Sequence, residues 1–427
     1  MNQLKKLLQT GFLHIFSSQV LNKIISSCSG IILLNFISKS DYGVYSYAMN
    51  ALSTFLMFSG LGMSTAILQM GSENLDKPYK QNLFTQYGLR VGMVFNLLLC
   101  GAILVFCAFF RFPIAGAGEV LALMALTPLF YYAIEVYQCY FRVKLYNKQF
   151  SYMSTGIALA SSVMLILGAL LKSLPLIVIL RYVAYIIVLA VIIPRYRLYL
   201  FGKVPQTEAG EEEGNQAIRR EEKKDVWRVS LISLFNNSVS SLLYIIDGWL
   251  IGAMISDASV LADYHTATLI PFALSFIPSA IVTYVYPYVA SHQHDGRWLK
   301  KQLKLLYLSM AGVTAVISLG LYFAAPLIFR ILFPNYTSAI PIFRVLSIGF
   351  FFMGTLRILS GNILAMLHQF RWNAVVAVIS GVANIVFDVL LIRAYGSIGA
   401  AIATTGIYIL SGLLSLGYLF YYLKKLD

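Results

Sequence analysis

The chain has 427 residues, of which 59% are hydrophobic and 12% charged, and its mean hydropathy is +0.75. A soluble domain carries about a quarter charged residues, so a string of soluble domains is excluded and a multi-pass membrane protein is predicted. The net charge of +14 does not point to nucleic acid, because the basic residues gather in alternate loops between apolar runs.

A helix needs about 20 mostly apolar residues to cross the hydrocarbon of a bilayer. Backbone groups in lipid must bond internally, so the runs are read as helices. They predict an all-α polytopic membrane protein of about 12 transmembrane helices. The first six lie near 12–37, 43–69, 82–110, 119–141, 150–171 and 175–194. The last six lie near 228–255, 262–290, 302–325, 338–366, 372–394 and 397–423. The organisation expected is an N-terminal six-helix bundle (1–199), a charged linker (200–227) and a C-terminal six-helix bundle (228–427).

The N-terminus opens like a signal peptide at Lys5 and Lys6, then becomes too long and polar for one. It is read as an uncleaved first span. In that span Gln19, Asn22, Lys23 and Ser26 recur at helical spacing and form a polar stripe. The second span starts at a tyrosine cluster, Tyr42, Tyr45 and Tyr47, and Tyr284, Tyr286 and Tyr288 lie near the end of the eighth. Both clusters read mainly as interfacial aromatic belts. The third span carries Arg90 inside a Gly88-x3-Gly92 pair that suits helix packing. The linker stretch QTEAGEEEGNQAIRREEKKDVWR, 206–228, is mixed in charge and reads as solvated.

The seventh span contains LLYIIDGWLIGAM, 242–254, in which Asp247 interrupts membrane-grade sequence. Ser233, Asn236, Ser240, Tyr244 and Asp247 repeat the polar-stripe theme of the first span. The two stripes are expected to face a common aqueous cleft. Asp247 then either serves transport there or pairs with Lys23 or another cation as interhelical glue, and such a pair can also act as a gate. Pro271, Pro278 and Pro287 in the eighth span and Pro128 in the fourth predict kinks.

Eight ionisable residues fall within spans: Lys23, Arg90, Glu135, Arg181, Asp247, Arg344, Arg357 and Asp388. One charge at the bilayer centre costs roughly 2.5–3.5 kcal/mol on insertion scales, so such residues face a cavity or a partner. Arg181, Arg344 and Asp388 are placed toward outer ends and Glu135 toward the cytoplasmic end, where snorkelling accounts for them. Lys23, Arg90, Asp247 and Arg357 are the deep ones. The excess of basic over acidic side chains in the spans suits an anionic cargo such as a pyrophosphate.

Outside the spans, 22 basic residues fall on the side of the two termini and 5 on the other. The positive-inside rule therefore puts both termini and the linker in the cytoplasm. The stretch from Leu145, LYNKQFSYMSTGIALASSVMLILGALL, resembles AMLHQFRWNAVVAVISGVANIVFDVLL from Ala365. Six spans per half make this a parallel repeat, an arrangement of transporters. The four cysteines (Cys28, Cys100, Cys107 and Cys139) match neither a metal site nor a disulfide framework, and read as small apolar fillers. His265, His292 and His294 lack zinc spacing, and no Walker lysine motif is present. No catalytic constellation, metal site or cofactor site is expected, and the chain does not read as an enzyme.

The segment LNFISKSDYGVYSYAMNALSTFLMFSGLGMSTAILQM, Leu34–Met70, resembles the first-to-second-span region of bacterial polysaccharide repeat-unit flippases. These are the Wzx-type (O-antigen and capsule) members of the multidrug/oligosaccharidyl-lipid/polysaccharide (MOP) exporter superfamily. The shared elements are Asp41-Tyr42-Gly43 and Gly60-Leu61-Gly62. YGSIGAAIATTGIYILSGLLSLGYL, Tyr395–Leu419, is similar to the family's last span, with its Gly-x-x-Gly-Ala-Ala start. The seventh-span aspartate also recurs there, although Gly248 stands where a basic neighbour is frequent.

The resemblance implies two six-helix bundles (MATE-like) around a central cavity in the cytoplasmic membrane. The implied cargo is an undecaprenyl-pyrophosphate-linked oligosaccharide, with H+ or Na+ as coupling ion, membrane lipid around the chain and polysaccharide polymerase machinery downstream. It implies that Lys23, Arg90 and Arg357, with Gln19, Asn22 and Asn236, line the cavity, and that Asp247 gates it or couples the ion. A cation-coupled multidrug exporter of the same superfamily is the nearest rival, but many of those carry an acid in the first span where this chain has Lys23. Another lipid-linked precursor flippase, such as that for lipid II, is a second rival and would have a longer run of spans. A membrane polymerase or ligase is the third, and would need a large periplasmic loop.

Overall fold

A computed structural model describes residues 12–196, 198, 218–291, 295–367 and 369–425. Every element among them is helical. The first half runs α1 (Phe12–Phe36), α2 (Lys39–Leu56), α3 (Met63–Ser72), α4 (Pro78–Phe109), α5 (Ala117–Leu123), α6 (Thr127–Val143), α7 (Asn147–Leu170) and α8 (Leu174–Arg195). The second runs α9 (Arg220–Ile255), α10 (Ala258–Leu274), α11 (Phe276–Ser291), α12 (Gly296–Leu332), α13 (Ile340–Phe352), α14 (Leu359–Met366), α15 (Phe370–Tyr395) and α16 (Ser397–Lys425).

Each predicted span corresponds to one helix or to a broken pair. Nine helices among the described residues are long and apolar enough to cross a membrane, and up to eleven if each bent pair is one span. The seventh predicted span is continuous as α9, yet contributes only the shorter apolar stretch Ile245–Ile255.

The bends have local causes. Between α2 and α3, a 3-10 turn, Ser59–Gly62, holds Gly60, Leu61 and Gly62 at φ of 58°, 52° and 75°. Positive φ is open to glycine and costly for leucine. Tyr132 packs where a Cβ on Gly60 would stand, and the helix turns by 41°. Between α5 and α6 the chain bends by 47°, and Pro128 then opens the first turn of α6, where its missing N–H is harmless. The predicted proline kink in the eighth span is the break at Ser275, flanked by Pro271 and Pro278. The tenth span contains a π-helical turn, Met353–Ile358, which the sequence pattern does not announce.

The chain forms two compact units. The first comprises Met1–Ile37 and Ala48–Ser241, the second Ser38–Tyr47 and Leu242–Asp427. In the first unit Met63, Ile67, Phe84, Tyr132 and Val136 form one core cluster, and Phe141, Phe150, Met153, Tyr185 and Leu189 another. The Gly88–Gly92 pair packs as predicted: Tyr132 donates to the Gly88 carbonyl at 2.6 Å, and its ring covers Gly92. The start of α9 is tied into this unit. Lys80 pairs with Glu222 at 2.9 Å, Trp227 Nε1 donates to Tyr87 at 3.0 Å, and Ser230 donates to the Leu61 carbonyl.

In the second unit, Val282, Leu299, Leu303, Leu359 and Leu419 anchor the core. Tyr42, Tyr45 and Tyr47, expected at a lipid interface, are all buried there. Tyr42 stands edge-on to Tyr336 at 6.2 Å and Tyr47 to Trp249 at 5.2 Å. Their phenol rings serve packing between helices, which overrides the belt reading. Tyr284 is exposed, whereas the side chains of Tyr286 and Tyr288 lie outside the described residues. Of the cysteines, Cys100 and Cys139 are buried fillers but Cys28 is exposed.

Candidate functional site

The second unit buries a cluster of oxygen-bearing side chains. Asp247 sits on α9, Tyr264 on α10, Asn384 and Asp388 on α15, and Thr404 on α16; none is more than 5% exposed. Asn384 and Asp388 are one helical turn apart, so they share a face. Gly399 lets that face meet α16, because a Cβ there would collide with the Leu391 carbonyl. Thr404 follows less than two turns later.

The hydrogen bonds converge on Asp247. Its Oδ2 accepts from Tyr264 Oη and from Thr404 Oγ1 at 2.6 Å. Its Oδ1 accepts from Asn384 Nδ2 at 3.2 Å, and the same amide donates to Asp388 Oδ2 at 2.5 Å. Asn384 therefore bridges two carboxyls. Asp388 Oδ1 is buried with no hydrogen-bond partner. The ion pairs among the described residues are Lys39–Asp263 and Lys80–Glu222, so neither carboxyl of the cluster has a cation within 4.0 Å there.

Two sequence expectations change. The pairing of Asp247 with Lys23 or another cation is replaced by hydroxyls and an amide. Asp388, placed at a snorkelling outer end, is fully buried and belongs to the cluster. The side chains of the cluster offer hard oxygens, the donor type that suits a proton or a small hard cation.

A second polar cluster in the same unit involves Lys39, which the sequence placed only in a loop. Its ammonium pairs with Asp263 at 2.7 Å and donates to Ser338 at 2.8 Å, while Ser338 donates to Asp263 at 2.8 Å.

The other predicted residues are dispersed. Gln19 and Lys23 are exposed on α1. Asn22, beside them, donates to Ser154 of α7 at 2.7 Å. Arg90 is half-buried on α4. Arg357 lies in the π-helical turn, its guanidinium 5.3 Å from the centre of the Tyr408 ring. The side chains of Asn236, Ser240 and Tyr244, like His292, His294 and most of the linker, lie outside the described residues. Toward the span ends, Arg181 donates to Tyr185 at 2.9 Å and Arg344 stacks over Tyr322 at 5.3 Å.

The fold is that of transporters of the MOP superfamily. It superposes on a lipid II flippase MurJ in its inward closed conformation with a TM-score of 0.74 and 15% identity, covering 96% of this chain and 89% of that one. It also matches an inward-facing multidrug resistance MATE family transporter with a TM-score of 0.70 and 10% identity, over 95% of each chain. A MOP superfamily transporter from Pyrococcus furiosus, with a binding pocket described as of reverse polarity, matches with a TM-score of 0.59 and 13% identity over 97% of this chain and 94% of its own. By sequence, the chain is 22% identical over 418 residues to an uncharacterized membrane protein of Methanocaldococcus jannaschii, covering 91% of this chain and 79% of the relative. Residues 8–293 match the family described as polysaccharide biosynthesis protein, and the chain belongs to that family.

Proposed function

We propose that this protein is a flippase that carries undecaprenyl-pyrophosphate-linked oligosaccharide repeat units across the cytoplasmic membrane by alternating access. The observation that carries the reading is the coincidence of a polysaccharide-biosynthesis family with a transporter fold. The charge balance of its spans supports an anionic head group. Lys23, Arg90 and Arg357 receive the pyrophosphate, with Gln19, Asn22 and Asn236 offering polar contacts to sugars. The lipid tail stays in the bilayer, and polymerase machinery takes the delivered unit.

The buried carboxyl pair supplies the energetic link. Asp247 and Asp388, with Asn384 and Thr404, hold H+ or Na+, whose charge offsets theirs. Loading and release at this cluster bias the second unit between two states, which is the differential interaction that transport coupling requires. The same cluster favours a cation-coupled multidrug exporter as the second reading.

Deletion of the gene separates the two. Lipid-linked repeats should accumulate on the cytoplasmic leaflet, surface polysaccharide should fall, and dye efflux should be unchanged. Unchanged polysaccharide with reduced dye efflux would instead establish the multidrug reading.

A further inference from the structure

On the first unit, α7 and α8 form an antiparallel pair with a groove of about 580 Å³ between them. That volume lies within the roughly 300–1,000 Å³ of ordinary small-molecule sites. The groove has two chemically distinct parts. Its walls are apolar and include Tyr152, Ile187 and Val191, all strongly exposed from the protein. Its mouth carries Lys148, in the first turn of α7, and Arg195, the last residue of α8.

Both cations are exposed, and neither has an acidic partner among the described residues. They meet at the same end of the pair because the helices run in opposite directions. The charge distribution assigns that end to the cytoplasm. The floor is left open by Gly156: a Cβ built there would meet no atom within 4 Å.

We infer that this groove is a binding site for an anionic phospholipid of the cytoplasmic leaflet, its phosphate held by Lys148 and Arg195 and an acyl chain laid over Gly156. Charge complementarity selects the occupant. A basic pocket between transmembrane helices on the cytoplasmic side matches an anionic head group, and apolar walls below it match the chain. A zwitterionic lipid satisfies the walls but brings its own cation to the mouth. A glycosylated pyrophosphate carrier would need many more polar groups than the Gln149 amide and the Tyr152 and Tyr196 hydroxyls that accompany the two cations. The site takes no part in the cargo route proposed above, so it stands or falls separately.

The test uses the full chain, purified in detergent, delipidated and offered dioleoyl-phosphatidylglycerol or dioleoyl-phosphatidylcholine under native mass spectrometry. Wild type should retain phosphatidylglycerol in preference. The double substitution K148A/R195A should weaken that binding about 30-fold, since each cation near the surface adds roughly one kcal/mol, and leave phosphatidylcholine unaffected. G156L keeps both cations and puts a side chain into the open floor, where its Cβ would meet no atom within 4 Å, so it should weaken both lipids. Equal retention of the two lipids by wild type would overturn the assignment, as would wild-type phosphatidylglycerol binding in both variants. Displacement of phosphatidylglycerol by an equal concentration of polyprenyl phosphate would give the groove to the carrier lipid and overturn it equally. Thermal melting of each variant reports whether it is folded, and K148A alone supplies a milder variant if the pair is not.

Discussion

At the residue scale, two buried carboxyls share one amide. Asn384 donates to both Asp247 and Asp388, and Asp388 keeps a second oxygen free of any hydrogen bond. An Asp388→Asn substitution preserves size but removes one of the two carboxyls proposed to hold the ion. The expected outcome is a loss of ion dependence: stimulation of transport by H+ or Na+ gradients should fall about 5–150-fold, the usual span of a coupling free energy. The measurement is cargo movement in proteoliposomes with and without each gradient, and a variant as responsive as wild type would remove Asp388 from coupling. Asp247 was legible from sequence because an acid in LLYIIDGWLIGAM has no cheap explanation. Asp388 was not legible because position along an apolar run does not report burial against neighbouring helices. The readable signal was its spacing: Asn384 and Asp388 share a helix face in otherwise apolar sequence.

At the element scale, close approach sets what the helices tolerate. The α15–α16 contact depends on Gly399, whose missing side chain admits the Leu391 carbonyl. A leucine there must push the helices apart, so G399L should destabilise the protein by about 1–3 kcal/mol, the usual cost of overpacking. Thermal unfolding in detergent would register it, with loss of the Asp247–Thr404 contact as a functional corollary. The start of α9 offers a pH-dependent fastening. Burial pushes the Glu222 carboxyl up, but the Lys80 ammonium and the Arg219 N–H outweigh it and leave it below 4.5. A carboxyl lowered in the folded state adds stability above its unfolded value and loses it as pH falls through the lowered one. A partly exposed pair is worth about 0.2–1 kcal/mol. Wild type should therefore melt slightly above E222Q at neutral pH, and the two curves should merge on acidification below pH 4.5. The twelve-span layout was readable because hydropathy marks length directly. The turn at Gly60–Leu61–Gly62 was not legible as a bend, since period and hydropathy carry no information on φ. The π-helical turn at Arg357 was invisible for the same reason.

At the scale of the whole molecule, the parts of the polar cluster are far apart in the chain. Asp247 and Thr404 are separated by 157 residues. Ribosomes add about 5–20 residues per second, so α9 enters the membrane roughly 8–30 s before Thr404 is made. During that interval the acid waits in the nascent protein without the amide and hydroxyl that later satisfy it. Biogenesis should therefore be staged, with the last two helices completing the acid's hydrogen bonds and chains that stop early leaving it exposed to membrane proteases. A chain truncated after Leu367 should be degraded quickly in a pulse-chase experiment, and D247N should prolong its half-life. Equal turnover of both truncated chains would detach quality control from this aspartate.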